Sequence, residues 1–319
     1  MPHKVILDVD TGTDDAVALM FAALHPDIEL VAATTVHGNV PVENCTENTL
    51  RTFDYVGVSV PVYQGMSSPL TRADYPIPRS QRGPSRVHGE YLDIPPSKSK
   101  AQSQHAVDFL IEYYMSGQGD DTVLIPVGSM TNVAMAIRQE PRIVEHIPEI
   151  VIMGGGHEVG NVTPSAEANI WRDPEGARVL FHTGVKKITL VPLDATHRAL
   201  VSLDDCRKLR ALGTPAAEAA AIFTERRIEA YDAVQPMSRK GAAPVHDALC
   251  TAYIVDPSVL KDVHHCFVDV ETFGELTVGR TVCDIQNRTG KDPNCYVALD
   301  ADEPKFVKLL METLGRKAG

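Results

Sequence analysis

The sequence of 319 residues lacks the features that mark secreted, membrane and nucleic-acid-binding proteins. Its six cysteines form no Cys-x-x-Cys pair and no metal-ligand spacing, which argues against a disulfide framework and a cysteine-bound metal. The absence of a signal-peptide core and of about 18 consecutive apolar residues predicts a soluble, cytoplasmic protein with no membrane partner. Basic residues number 30 against 42 acidic ones, and the net charge of −12 argues against nucleic acid as a partner.

Apolar segments alternate along the chain with helical patterns, as in a doubly wound α/β sheet. A hydrophobic content of 44% at this length is ample for a core. Most of the apolar segments are nearly continuous, which is typical of parallel strands buried on both faces. We expect such strands at Val5–Leu7, Leu30–Val36, Val58–Tyr63, Val123–Val127, Ile150–Met153 and Ile188–Val191.

The last third of the sequence has a different pattern. A long helix is predicted over Pro215–Ala233, with Thr214 as its N-cap. Beyond it we expect short, mostly antiparallel strands and a final helix, at Val268–Val270, Leu276–Val278, Tyr296–Leu299 and Glu303–Leu314. Since no linker or repeat is evident, the sequence predicts a single α/β domain over residues 1–319. Its sheet is expected to be Rossmann-like, mostly parallel and flanked by helices, with a small C-terminal antiparallel extension.

Two irregular regions interrupt this alternation. Residues 69–96 are rich in proline, arginine and serine, and residues 234–244 contain Gln-Pro and Lys-Gly pairs. Segments of this size in α/β domains are usually lids or binding loops, and disorder without a function is the alternative. We predict mobile loops at both places.

Four carboxylates lie within eight residues at the first predicted strand end, at Asp8, Asp10, Asp14 and Asp15. Helix capping accounts for one carboxylate but not for four. Like charges this close repel and raise one another's pKa, and a divalent cation with oxygen ligands relieves that cost. Gly12 supplies a tight turn at the carboxyl end of the strand, where open α/β sheets bind ligands. The cluster therefore predicts a cation site.

Known acidic and phosphate-binding motifs fit this segment poorly. An EF-hand that starts at Asp8 would place Gly12 at its fifth position and Leu19 at its twelfth, where oxygen ligands are required. The Gly-Lys-Ser/Thr of a phosphate loop is absent. The aspartyl-phosphatase pattern of two aspartates spaced by one residue is matched by Asp8 and Asp10, but Gly12 stands where that pattern has Thr or Val.

Five segments resemble, in order, the motifs of the inosine-uridine preferring nucleoside hydrolase family, and the resemblance covers essentially the whole chain. Several of them end predicted strands or open predicted helices, so their polar groups can face one crevice. They are Asp8–Ala16, Val127–Asn132, Met153–Gly156, Glu167–Asn169 with Asp173–Glu175, and His246–Asp247.

The resemblance implies Ca²⁺-dependent hydrolysis of the N-glycosidic bond of ribonucleosides to ribose and a free base, in purine and pyrimidine salvage. It also implies a homodimer or homotetramer. The implied calcium ligands are the carboxylates of Asp10, Asp15 and Asp247 and the backbone carbonyl of Val127. The implied substrate contacts are Asp14 and Asn169 at the ribose 2′- and 3′-hydroxyls, Asn161 and Glu167 near the 5′-hydroxyl, Asn39 beside Asp10, Met153 against the ribose, and His246 at the leaving base.

The chemistry of this reaction gives two of these residues catalytic roles. Cleavage passes through an oxocarbenium-like sugar, which surrounding anionic groups stabilise. A bound Ca²⁺ lowers the pKa of a water, whose proton Asp10 can accept. A purine leaves more easily when protonated, and we expect His246 to supply that proton because imidazole titrates near neutrality.

The sequence departs from the family's motifs in the segments that would contact the base. His88 and Tyr231 are candidates for a base-binding loop, and Arg227 and Gln235 lie close to Tyr231 in the sequence. The single tryptophan, Trp171, argues against a purine-specific site that stacks the base between tryptophans. The preferred base stays open.

Two other functions compete with this interpretation. One is a Mg²⁺-dependent phosphatase with Asp8 as nucleophile, which leaves Asp14, Asp15 and the His246–Asp247 pair without a role. The other is a non-catalytic nucleoside- or ribose-binding protein that keeps the carboxylate cluster but does not catalyse hydrolysis. Measuring free ribose released from a panel of nucleosides, with and without a chelator, distinguishes the three.

Overall fold

The computed structural model describes residues 1–72 and 87–318. Over these residues it contains eleven β-strands and eleven α-helices. The strands are β1 (His3–Val9), β2 (Ile28–Thr35), β3 (Val62–Gln64), β4 (Thr122–Pro126), β5 (Ile150–Met153), β6 (Ile188–Val191), β7 (Leu200–Ser202), β8 (Ala242–Pro244), β9 (Leu260–Val270), β10 (Thr281–Asp284) and β11 (Cys295–Ala301).

The α-helices alternate with the strands in the first two thirds of the chain. They are α1 (Thr13–Leu24), α2 (Val42–Val56), α3 (Ala106–Met115), α4 (Thr131–Gln139), α5 (Ala168–Arg172), α6 (Pro174–Phe181), α7 (Leu193–Thr196), α8 (Leu203–Ala211), α9 (Pro215–Val234), α10 (His246–Val255) and α11 (Glu303–Leu314). The described residues include no helix that is both long and apolar enough to cross a lipid bilayer.

The main sheet confirms the predicted α/β architecture. In the described part of the chain it has nine strands in the order β10-β9-β11-β6-β5-β4-β1-β2-β3. The seven neighbouring strands β11, β6, β5, β4, β1, β2 and β3 run parallel to one another. Strand β9 pairs antiparallel with both β11 and β10. A separate antiparallel pair joins β7 and β8. The chain leaves β1 towards β2 and β3 and then crosses back to β4, so β1 and β4 flank the topological switch point, where such sheets bind ligands.

The core lies on both faces of the sheet, as the continuous apolar strands predict. In β1, Val5, Leu7 and Val9 pack in one buried cluster, while Ile6 packs in a second cluster on the opposite face. This alternation follows from the period of two along a strand. The paired strands therefore hold the chain that follows β1 in a fixed place.

Helix α9 and the final helix are confirmed by the structure. Helix α9 begins at Pro215, and the Thr214 hydroxyl accepts a hydrogen bond from the Ala217 amide at 3.1 Å, as expected of an N-cap. Helix α11 occupies the predicted residues Glu303–Leu314.

Two strand predictions need correction. In place of the strand expected at Val58–Tyr63, the structure has the short strand β3 at Val62–Gln64. Helix α2 ends at a C-cap at Gly57 with a φ of 76°, and the chain then needs several residues to return to the sheet. The strand expected at Leu276–Val278 is a turn, closed by hydrogen bonds from Val278 N to Gly274 O at 2.9 Å and from Gly279 N to Glu271 O at 2.7 Å. Leu276 is exposed there, so its hydrophobicity gave a false strand signal.

The two predicted loops are described to different extents. Residues 73–86 of the 69–96 region lie outside the described residues, and the flanking residues 69–72 and 87–96 contain no helix or strand. In the 234–244 region the boundaries were too wide, since α9 continues through Val234 and Ala242–Pro244 forms β8. The irregular part is residues 235–241.

Candidate active site

A cavity of about 300 Å³ opens at the carboxyl ends of β1, β4 and β5. It lies at the topological switch point of the sheet, because Asp10 follows β1 and Val127 follows β4. Apart from Asp15, every residue predicted for the site lines this cavity: Asp10, Asp14, Asn39, His88, Val127, Met153, Asn161, Glu167, Asn169, Tyr231, His246 and Asp247.

Three carboxylates converge at the base of the cavity. One oxygen from each of Asp14, Asp15 and Asp247 lies within 4.8 Å of the others, and all three side chains are buried. Burial and the neighbouring Asp14 raise the pKa of Asp15 to about 6 and that of Asp247 well above its usual value. Three carboxylate oxygens this close together suit a hard divalent cation. This cluster shares Asp15 and Asp247 with the predicted ligand set, which also contains Asp10 and the Val127 carbonyl.

Asp10 makes a different set of contacts. Its Oδ2 accepts hydrogen bonds from the Asn39 amide at 2.6 Å and from Arg172 Nη1 at 2.7 Å, and its Oδ1 lies 3.2 Å from Asn39 Nδ2. Burial and Asp15 raise its pKa well above the usual value, against the lowering effect of Arg172. Gly38 allows this packing, since a Cβ there would stand 1.9 Å from Asp10 Oδ2.

Arg172 is a site residue that the sequence analysis missed. It ends α5, and its guanidinium also donates from Nη1 to Asn169 Oδ1 at 3.0 Å and from Nη2 to Asn39 Oδ1 at 2.8 Å. Its spacing of three residues from Asn169 places both side chains on one face of a helix, and that spacing is the signal that could have found it.

Arg227 is the second basic residue at the site. Its Nη1 lies 2.7 Å from Asp14 Oδ1, and its Nε donates to the Pro244 carbonyl at 2.9 Å. Burial opposes ionisation of Asp14, but the Arg227 guanidinium and His88 outweigh burial and lower the pKa of Asp14. Arg227 is therefore the buried counter-ion of one member of the carboxylate cluster.

Asp15 joins the turn to helix α1. Its carboxylate accepts from the Asp10 amide at 3.1 Å, from the Gly12 amide at 2.9 Å and from Asn39 Nδ2 at 3.3 Å. These bonds satisfy backbone donors at the start of α1, where the helix dipole also favours a negative charge. The segment Asp8–Ala16 is thus folded around Asp15.

The ends of β4 and β5 meet through Asn169. Its Nδ2 donates to the Val127 carbonyl at 2.7 Å and to the Met153 carbonyl at 3.2 Å. Glu167 caps α5 and accepts from the Asn169 and Gly155 amides at 2.9 Å, and burial raises its pKa. Asn161 accepts from the Ala168 amide through its Oδ1 at 3.0 Å. The residues predicted to hold the ribose therefore also hold one another.

The two histidines of the cavity both have lowered pKa values. His246 opens α10, with its Nε2 at 2.7 Å from the Tyr231 hydroxyl and its Nδ1 at 2.7 Å from the Thr196 hydroxyl. Burial and Arg227 lower the pKa of His246 well below its usual value. Burial also lowers the pKa of His88 to about 3, and its Nδ1 lies 3.2 Å from the Thr13 amide.

Asp8 is fully buried and is not part of the cavity lining. Its Oδ1 accepts from the Thr34 hydroxyl at 2.6 Å and from Asn132 Nδ2 at 2.7 Å, and burial raises its pKa to about 7. A nucleophile needs access to its substrate. This placement argues against the phosphatase interpretation.

Comparison with known proteins identifies the family of this chain. The family model described as inosine-uridine preferring nucleoside hydrolase matches residues 5–308. A protein of that name from Leishmania major is 39% identical over 99% of this chain and 98% of the relative. The pyrimidine-specific ribonucleoside hydrolase RihB of Escherichia coli (strain SE11) is 39% identical over 97% of this chain and 96% of the relative.

A solved structure extends the likeness to the fold. The purine-preferring ribonucleoside hydrolase from Gardnerella vaginalis superimposes with a TM-score of 0.88 at 34% identity, over 98% of each chain. The chain belongs to the inosine-uridine preferring nucleoside hydrolase family and is an N-glycosyl hydrolase.

Proposed function

We propose that this enzyme hydrolyses ribonucleosides to ribose and a free base with the help of a bound Ca²⁺, and that it serves purine and pyrimidine salvage in the cytoplasm. The observation that carries the proposal is the convergence of Asp14, Asp15 and Asp247 beside Asp10 and Asn169. A homodimer or homotetramer is the expected assembly.

The residues at the base of the cavity fit a hard cation. The donors are carboxylate oxygens, Asp15 and Asp247 have raised pKa values, and Cys or His donors are absent from the carboxylate cluster found in the described residues. Asp15 and Asp247 would hold the ion, with Asp10, Asp14 and the Val127 carbonyl as further donors. When bound, Ca²⁺ supplies a water of lowered pKa and an anchor for vicinal hydroxyls.

The charge of the cavity suits the oxocarbenium-like sugar. Asp10, Asp14, Asp247 and Glu167 surround the space, and the ribose would lie among them. Fixed anionic groups in a buried site stabilise positive charge that develops in the transition state. Asn169 and Glu167 are held by the bonds already described, so they are positioned before substrate binds.

Asp10 is the proposed general base. It is buried beside the carboxylate cluster, where its carboxylate could accept the proton of a water molecule held by the ion. The amide and side chain of Asn39 fix the orientation of its carboxylate.

The base of the nucleoside would lie towards the outer part of the cavity, where Val87, Val162 and Val234 supply apolar contacts. Thr196 donates to the Leu193 carbonyl at 3.4 Å, so we assign the proton of His246 to Nδ1 and the acceptor role to Nε2. The Tyr231 hydroxyl then donates to His246 Nε2. In this arrangement Nε2 carries no proton, so His246 would protonate the leaving base only after taking up a proton from solvent, with Tyr231 holding the ring in place.

The experiment that tests the proposal measures free ribose from inosine, uridine, cytidine and guanosine. It uses enzyme treated with a chelator, then supplied with Ca²⁺ or Mg²⁺, and includes p-nitrophenyl phosphate as the substrate of the competing phosphatase. We expect ribose release that the chelator abolishes and Ca²⁺ restores. Ribose release that persists in full after chelation would contradict the proposed requirement for a metal ion. If no nucleoside released ribose, the proposed hydrolysis itself would be contradicted.

A further inference from the structure

Arg172 occupies the acceptor atoms on which the proposed reaction depends. Its two Nη atoms contact one oxygen each of Asp10, Asn39 and Asn169, at 2.7, 2.8 and 3.0 Å. Asp10 is the proposed base and a proposed calcium ligand, and the two asparagines are proposed substrate contacts. A guanidinium at this position satisfies the same carboxylate that a divalent cation would use.

We propose that Arg172 is a counter-ion of Asp10, and that Ca²⁺ binding displaces its guanidinium from the carboxylate. The guanidinium and the ion then compete for one carboxylate, so Arg172 lowers the affinity for Ca²⁺. The proposal rests on the metal-dependent function given above and deepens it.

The surroundings of Arg172 permit this displacement. Its side chain is 16% exposed whereas that of Asp10 is 1% exposed, and Arg172 lines a cavity of about 300 Å³. It is the last residue of the five-residue helix α5, so the side chain can move without disturbing a long element. Arg227 differs, because it is 1% exposed and is also bonded to the Pro244 carbonyl.

Displacement would change more than the charge at Asp10. It would release Oδ1 of Asn39 and Oδ1 of Asn169, which then become free acceptors for hydroxyl groups of the ribose. Metal binding would in this way prepare the substrate contacts. Arg172 would keep Asp10 paired while no metal is present, which avoids a further unpaired carboxylate beside Asp15.

The test measures Ca²⁺ affinity by isothermal titration calorimetry on chelator-treated full-length enzyme at pH 7.5. In Arg172→Gln the competing charge is lost, and we expect Ca²⁺ to bind about tenfold tighter than to wild type, or about 1.4 kcal/mol. Arg172→Lys keeps the charge and should stay within about threefold of wild type. The control, Arg178→Gln, removes an exposed arginine that pairs with Asp269, and its affinity should not change.

Melting temperatures separate this role from a structural one. Arg172→Gln should lower the melting temperature of the metal-free enzyme and increase the gain on adding Ca²⁺. Equal losses with and without Ca²⁺, together with an unchanged or weaker affinity, would overturn the competition. Wild-type enzyme that binds no Ca²⁺ would overturn both this inference and the proposed metal, whereas a wild type that binds Ca²⁺ as tightly as Arg172→Gln would overturn only the inference.

Discussion

Asp14 and Arg227 form a buried ion pair in the wall of the cavity, with 2.7 Å between Asp14 Oδ1 and Arg227 Nη1 and side-chain exposures of 7% and 1%. Asp14 also stands within the carboxylate cluster that includes Asp15 and Asp247. Arg227 thus brings one positive charge to a place where three carboxyl groups meet. The pair couples the stability of the fold to the geometry of the site.

Removing Arg227 should be strongly destabilising, because it leaves Asp14 buried without its counter-ion. We expect Arg227→Met to lower the free energy of unfolding by about 3 kcal/mol, measured by urea denaturation of the metal-free enzyme. The control Arg207→Gln breaks an exposed pair with Asp204 and should cost less than about 1 kcal/mol. In the double variant with Asp14→Asn part of the loss should return, and full additivity would contradict a direct pairing.

The burial of Arg227 shows what the sequence could not predict. The sequence places Arg227 close to Tyr231, a candidate for the base-binding loop, but an isolated arginine in a helical pattern is usually exposed, so its burial gives no sequence signal. The opposite holds for the segment after β1. There the apolar run predicts a strand, the glycine predicts a turn, and the aspartates predict a charged site. The structure has strand β1, then the turn into α1, and it places Asp10 and Asp14 in the cavity at the carboxyl end of the strand.

One wrong prediction and one competing hypothesis have the same physical origin, which is that short sequence patterns do not report tertiary neighbours. The apolar run Leu276–Val278 predicts a strand, but no partner strand pairs with it in the described part of the chain and the glycines on both sides close a turn. The competing phosphatase hypothesis makes Asp8 the nucleophile, but its side chain is hydrogen-bonded to Thr34 and Asn132 and does not line the cavity. Only the packing of the sheet decides these cases.

Replacing Asp10 with asparagine removes the proposed proton acceptor and keeps the shape. We expect kcat for inosine and uridine to fall by about 10²-fold or more. Metal content must be measured by elemental analysis, because part of the loss would come from weaker Ca²⁺ binding. The matched control is Asp8→Asn in the same segment, which should keep activity within about tenfold because Asp8 is buried outside the cavity. A variant at Asp10 with full turnover and full metal content would show that another group is the base.

The carboxylate cluster makes the stability of metal-free enzyme dependent on pH. Burial and Asp14 raise the folded pKa of Asp15 to about 6, above the ordinary value of about 4 in an unfolded chain. The folded form therefore binds protons more readily, and this contribution to stability is lost as the pH rises from about 4 through 6. Ca²⁺ removes the repulsion, so the gain in melting temperature on adding Ca²⁺ should be larger at pH 7.5 than at pH 5.

The variant Asp247→Asn provides the control for this dependence. It removes one charge of the cluster, so the chelated variant should lose less stability than wild type between pH 5 and pH 7.5. Calorimetric melting curves at the two pH values give both quantities. An equal gain from Ca²⁺ at both values would show that the three carboxylates do not share the ion.

The last prediction concerns the leaving group, for which His246 is the candidate. A purine depends on protonation to leave, so His246→Ala should damage inosine hydrolysis more than uridine hydrolysis. The Tyr231 hydroxyl lies 2.7 Å from His246 Nε2, and Tyr231→Phe removes only the oxygen of that contact. If the two side chains act as one unit, the double variant should be no slower on inosine than the slower single variant.

The measurement is the ratio of kcat/KM for inosine to that for uridine in wild type, both single variants and the double variant. A change of less than about threefold in His246→Ala would remove His246 as a purine-selective acid. In that outcome the hydrogen bonds to Thr196 and Tyr231 assign His246 to positioning the base, because a neutral imidazole held by two hydroxyls still orients a ligand. Multiplicative losses in the double variant would show that Tyr231 contacts the base independently of His246.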